Sequence, residues 1–238
     1  MHAKRGAGVG RQGAMAAAFV AAALVIIYIG NATDLDLRMA DALFDRASNT
    51  FPWRHAWLTE VFAHVALKRT LVVLGLGFVL AALWDLVARR SWGALRRSQV
   101  RVVALSAILV PGAISLLKHL SASHCPWDLQ RYGGIQPYVR LLEALPQGVP
   151  LGHCMPAGHA STALWMMSLA VFFLPSRPRA ASAVVMLTLA GGFAIGWMQQ
   201  MRGAHFLTHT LWSIWIAGAI IVLLQQIMAP RVAPLPPD

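Results

Sequence analysis

The chain has 238 residues, 58% of them hydrophobic and only 12% charged, with a formal net charge of +11 at neutral pH. So little polar material cannot cover a soluble globule, and the net positive charge reads as topology and affinity for anionic headgroups rather than as a nucleic-acid footprint. The composition predicts a protein with most of its surface in lipid and no nucleic-acid partner.

Residues 1–13 carry Lys4, Arg5 and Arg11 and read as a basic cytoplasmic N-terminus. The first apolar stretch, 14–29, is longer than the ~7–15 residues of a signal-peptide core and has no small-x-small site at a suitable distance, so it reads as an anchor. Residues 31–68 are mixed, with Asp34, Asp36, Asp41 and Asp45 set among Leu, Met and Phe. This pattern predicts one or two short amphipathic helices lying on the outer membrane surface. Five further apolar stretches follow at 70–88, 102–117, 159–174, 181–198 and 206–228. Each approaches the ~20 residues that cross a bilayer. Residues 14–228 are therefore predicted to form an all-α, six-span transmembrane helical bundle, and the Pro-rich 229–238 a disordered cytoplasmic tail.

Six spans put both termini on one side. The cluster Arg89, Arg90, Arg96, Arg97 and Arg101 assigns that side to the cytoplasm, because Lys and Arg accumulate in short cytoplasmic loops. On this topology three polar groups meet at the outer face. Lys118 ends the third span, Gly158 and His159 open the fourth, and Arg202, His205 and His209 lie between the fifth and sixth. For a helix beginning near Arg202, the spacing of 202, 205 and 209 puts them on one face. A cation, imidazoles and a helix N-terminus beginning at glycine suit an anion and the transfer of protons to it.

These residues stand in the order of three motifs, and here the chain resembles the type 2 phosphatidic acid phosphatases. That family carries K-x6-R-P, P-S-G-H and S-R-x5-H-x3-D. The first is matched at Lys118 and Pro126, with Cys125 in place of Arg. The second is matched at Pro156, Gly158 and His159, with Ala157 in place of Ser. The third is matched at His205, with Gln199 in place of Arg and His209 in place of Asp. The resemblance covers roughly 117–212 and implies a six-helix membrane phosphatase that uses no cofactor and no metal. It implies that His205 is the nucleophile, that His159 is the general acid and base, and that Lys118 and the backbone around Gly158 bind the phosphoryl oxygens. Arg202 and Arg131, or Arg140, are the candidates to replace the missing arginines. His209 is the candidate for the missing aspartate, and Asp128 is the nearest spare carboxylate.

Cys125 and Cys154 are the only cysteines, and each adjoins a motif. On an outer, oxidising face such a pair suits a disulfide. Two alternatives stay open: a zinc site drawing on His124 and His153, or two buried thiols. The stretch 127–134, with Tyr132 beside Gly133-Gly134, reads either as a lid or as an ordinary turn.

The expected function is removal of phosphate from a membrane lipid phosphate or diphosphate, in a bacterial inner membrane with the site facing the periplasm. The alternatives are a lipid-to-lipid phosphotransferase and a headgroup-binding protein that has lost catalysis.

Overall fold

A computed structural model describes residues 2–88 and 91–229. Arg89 and Arg90 of the basic cluster and the tail from 230 onward lie outside these residues. The described residues are helical, with no strand. They form α1 (His2–Ala32), α2 (Leu35–Leu43), α3 (Lys68–Ala88), α4 (Ala94–His119), α5 (Gly158–Leu164), α6 (Pro178–Met201) and α7 (Leu207–Met228).

Five segments are long and apolar enough to cross a membrane: Gln12–Ala32, Leu58–Ala88, Ala94–His119, Pro178–Met201 and Leu207–Met228. Many of their large side chains face outward, among them Val87, Leu187 and Ile227. An exterior of this kind belongs to a multi-pass membrane protein.

The fourth predicted span differs from expectation. It is a shorter helix, Gly158–Phe173, whose first part is α5 and whose second part, Trp165–Phe173, winds as a 3-10 helix. The tighter winding rises ~2.0 Å per residue against ~1.5 Å, so the segment reaches about 28 Å, near the ~30 Å of bilayer hydrocarbon. It is also the most buried helix. Ala160, Leu164 and Trp165 join Val103, Val110 and Ile114 of α4 and Ala217 and Ile221 of α7 in one core. Small residues let its neighbours close around it. At Gly196 of α6 a Cβ would come within 2.7 Å of the Thr210 hydroxyl oxygen on α7.

The region 31–68 holds one of the one or two short helices expected there. α1 runs on to Ala32, α2 is the single short amphipathic helix, 45–56 is turn, and Leu58–Leu67 is a wider π-wound segment continuous with α3. The second surface helix is absent because 58–67 reads Leu, Val, Phe, Ala and Leu with few polar breaks, which extends the span. The acidic residues here are tied to the rest of the chain. Arg140 pairs with Asp34 at 2.6 Å, and Arg131 grips Asp41 with two bonds of 2.8 and 2.6 Å.

Asp36 is buried and accepts from both the backbone N–H (3.1 Å) and the hydroxyl of Thr208, in the first turn of α7. Burial raises its carboxyl above the usual carboxylate value, while the bonds from Thr208 and Leu207 pull the other way. A carboxylate at a helix N-terminus satisfies amides that the helix itself cannot. Asp36→Ala should therefore destabilise the protein by about 1–3 kcal/mol, the cost of stranding buried donors, and Asp36→Asn by less. Denaturant unfolding in detergent measures this. An unchanged midpoint for Asp36→Ala would show that α7 does not rely on this cap.

Candidate functional site

The ends of α4, α5, α6 and α7 that carry the motif residues meet at one end of the bundle. Local sequence explains how the chain turns there. α6 closes in a Schellman motif: Gly203 N–H bonds the Gln200 carbonyl (2.8 Å) and Ala204 N–H the Gln199 carbonyl (2.9 Å), with Gly203 at φ 74°. Glycine suits that left-handed position because it has no Cβ to strain it. The turn ejects His205 into the interior, and α7 begins two residues later.

The start of α5 is tied to the start of α7. Ala157 N–H donates to the His209 carbonyl (3.0 Å), and the Ser213 hydroxyl lies 3.0 Å from both the Ala157 and His209 carbonyls. This join sets the register of His159 against the other two histidines. The His159 and His205 rings stand 6.0 Å apart, and His205 and His209 stand 5.7 Å apart.

His205 is almost wholly buried. Its Nδ1 lies 3.4 Å from His209 Nδ1 and 3.5 Å from Cys154 Sγ. His209 Nε2 in turn lies 3.1 Å from Ser123 Oγ. Burial pushes the His205 imidazole well below its ordinary value, and charge on His209, His159 and Lys118 pushes in the same direction. The ring is thus neutral near pH 7, which is the form with a lone pair to donate. Lys118, in the last turn of α4, is near enough for its charge to act on His205. Beside Gly158 a Cβ would meet no atom within 4 Å, so the approach to the first turn of α5 is open.

Cys125 and Cys154 form a disulfide with Cα atoms 5.3 Å apart, closing a sequence separation of 29. The strands of loop it joins also pair through the backbone: Gly152 with Ala122, His153 with Ser121 and Cys154 with Ser123. Bridge and pairing together hold Ser123 against His209 and Cys154 against His205. Donor atoms of Cys125, Cys154 and His205 lie within 4.8 Å of one another, a spacing that could hold a metal. The sulfurs are bonded to each other, and zinc ligation needs thiolates. His124 and His153, named for the zinc alternative, are not in this group.

Other predicted site residues are placed elsewhere. Arg202 directs its guanidinium to segment 54–60 and to Gln199, donating to the Arg54 carbonyl (3.0 Å) and Gln199 Oε1 (3.2 Å) with Glu60 at 3.7 Å. Arg131 is held by Asp41 at the surface, and Arg140 is held by Asp34 and the Thr33 carbonyl. Asp128 reaches none of the three histidines; it lines a shallow outer cleft with His124, Trp127 and Gln136. The stretch 127–134 is fixed rather than lid-like. Tyr132 packs on Phe44 and Phe51 and donates to Asp41 (3.0 Å), and Trp127 N–H bonds the Gly203 carbonyl.

Sequence reasoning missed Ser123 and Asp36. Neither belongs to a motif, and both act through partners more than 80 positions away. Gln199 was noted as a replaced arginine, but not as the buried acceptor for Arg202.

The fold is that of a multi-pass membrane protein with three histidines gathered at one end of its bundle. The chain belongs to the PAP2 superfamily, which it matches over residues 99–233. No curated protein and no solved structure matches it. Membership makes it, in general terms, a phosphoric ester hydrolase.

Two outcomes follow from the site geometry. Protonation of His205 removes its lone pair, so the acid limb of kcat should lie below pH 6.5, its ordinary value, with turnover constant above it until another group intervenes. A His205-dependent limb above pH 6.5 would contradict the burial argument. Reduction of Cys125–Cys154, or Cys154→Ser, should lower turnover while the helical circular-dichroism signal and its melting curve stay in place, because the bridge holds loops and not the bundle. Full activity after verified reduction would show that backbone pairing alone suffices.

Proposed function

We propose that the protein removes phosphate from a lipid phosphate or diphosphate at the outer surface of a bacterial inner membrane, through a phosphohistidine on His205. The observation that carries this reading is the buried His205, with His209 at its Nδ1 and His159 facing it, at the end of a bundle whose exterior is apolar. A site at the end of such a bundle suits a headgroup whose chains remain in the bilayer. The disulfide beside the site favours an oxidising compartment, which is the basis for the periplasmic assignment.

In this mechanism His205 Nε2 attacks phosphorus and the bond to the leaving oxygen breaks, with His159 delivering a proton to that oxygen. Lys118 and the first amides of α5 beside Gly158 stabilise the charge on the equatorial oxygens. Water then attacks the phosphohistidine, His159 takes its proton, and inorganic phosphate leaves with His205 restored. The side chains supply the charge neutralisation, so no metal is required. Arg202 supports the site from behind by fixing the end of α6 to segment 54–60.

His205→Ala should lower phosphate release from detergent-solubilised phosphatidic acid and prenyl diphosphate by about 10³-fold or more, as loss of a nucleophile does, with the fold retained. Orthovanadate should inhibit the wild type as a mimic of the five-coordinate transition state, and EDTA should leave the rate unchanged. Turnover surviving in His205→Ala would overturn the assignment, and loss of activity in EDTA restored by a divalent cation would replace it with a metal-dependent reaction.

A further inference from the structure

We propose that Ser123 is a positioning residue for His205, acting through His209. The three side chains then form a hydrogen-bonded relay that replaces the carboxylate found behind the nucleophile elsewhere in the superfamily. The inference rests on His205 being the nucleophile, and it concerns how that ring is held.

The geometry is a continuous line: His205 Nδ1 to His209 Nδ1 at 3.4 Å, then His209 Nε2 to Ser123 Oγ at 3.1 Å. Both nitrogens of His209 are used, and only one arrangement of protons serves attack. For His205 Nε2 to present a lone pair, its Nδ1 must carry the proton and donate to His209 Nδ1. His209 then carries its own proton on Nε2 and donates to Ser123 Oγ. An aspartate accepts from Nδ1 without any such condition. A histidine accepts only in one tautomer, so its replacement of aspartate requires a group that selects that tautomer.

Ser123 is fitted to select it. Its hydroxyl oxygen has lone pairs to receive the Nε2 proton, and its backbone is fixed on both sides. Ser123 N–H bonds Ser121 Oγ (3.2 Å), its carbonyl accepts from Cys154 N–H (3.0 Å), and the Cys125–Cys154 bridge begins two residues on. Cys154 also touches His205, so one small loop unit presses on both ends of the relay. When His205 Nε2 bonds phosphorus, its Nδ1 proton stays in the bond to His209 Nδ1, so the ring keeps its orientation until water clears the phosphate.

The test is a cycle between positions 123 and 209, measured as kcat and KM for phosphate release beside a His205→Ala control. Ser123→Ala should lower kcat by about tenfold or more with KM little changed, as loss of a buttress to a catalytic group does, and Ser123→Thr, which keeps the hydroxyl, should restore most of it. In a His209→Asp background, or His209→Asn if the aspartate does not fold, Ser123→Ala should change kcat by less than about threefold, since neither acceptor needs a tautomer selected. Ring-nitrogen NMR of the resting protein should show His205 protonated on Nδ1 in the wild type and a mixed population in Ser123→Ala. Equal losses from Ser123→Ala in every background would show a structural role only, and no loss in the wild type would remove Ser123 from the site. Activity surviving in the His205→Ala control would instead strike the nucleophile assignment, which is a separate failure.

Discussion

The join between the first residues of α5 and α7 governs everything at this end of the molecule. Ala157 gives its N–H to the His209 carbonyl, and Ser213 bridges the carbonyls of both. Inside lipid-facing helices there is no water to satisfy such groups, so the bonds are held firmly and the two helices keep one register. The site depends on that register because its two catalytic candidates, His159 and His205, come from different elements and share no chain segment. A slip of one residue would rotate His159 by about 100° around α5 and dissolve the pocket.

A second layer rests on this join. Aromatic residues Phe51, Tyr132 and Phe206, with Ala40 and Leu129, form a small separate core above the bundle end. It binds α2 and the loop turns to the Gly203 corner from which His205 emerges. Asp34 and Asp41 serve the same cap by neutralising Arg140 and Arg131. Of the net charge of +11, then, little is directed at the site. Lys118 acts there on His205, while Arg131, Arg140 and Arg202 are occupied by carboxylates and carbonyls.

Helix positions were legible because apolar runs and their polar ends are local properties of the chain. His159, His205 and His209 were legible from motif order. The short fourth segment was not, because nothing in its composition distinguishes 3-10 from α winding over Trp165–Phe173; the choice is made by packing against α4, α6 and α7. The partners of Arg202 and Arg131 were not legible for a related reason. A spare cation near a phosphate motif looks free in sequence, and its true partners, Arg54 and Asp41, are brought to it only by the folded cap. Asp36 and Ser123 escaped notice because a lone Asp in an amphipathic run and a Ser in a loop are the commonest of surface residues.

The departures from the family pattern are connected. In the proposed relay, His209 stands where the resembling motif has aspartate and is a conditional acceptor, which must be told which tautomer to hold. Replacing the first-motif arginine by Cys125 gives up a cation but supplies a covalent bond to Cys154, which fixes the loop carrying Ser123 onto His209. Lost charge at one position is thus answered by added rigidity at another. That exchange suits a deeply buried pocket, where each further charge is costly to desolvate and a fixed neutral dipole costs less.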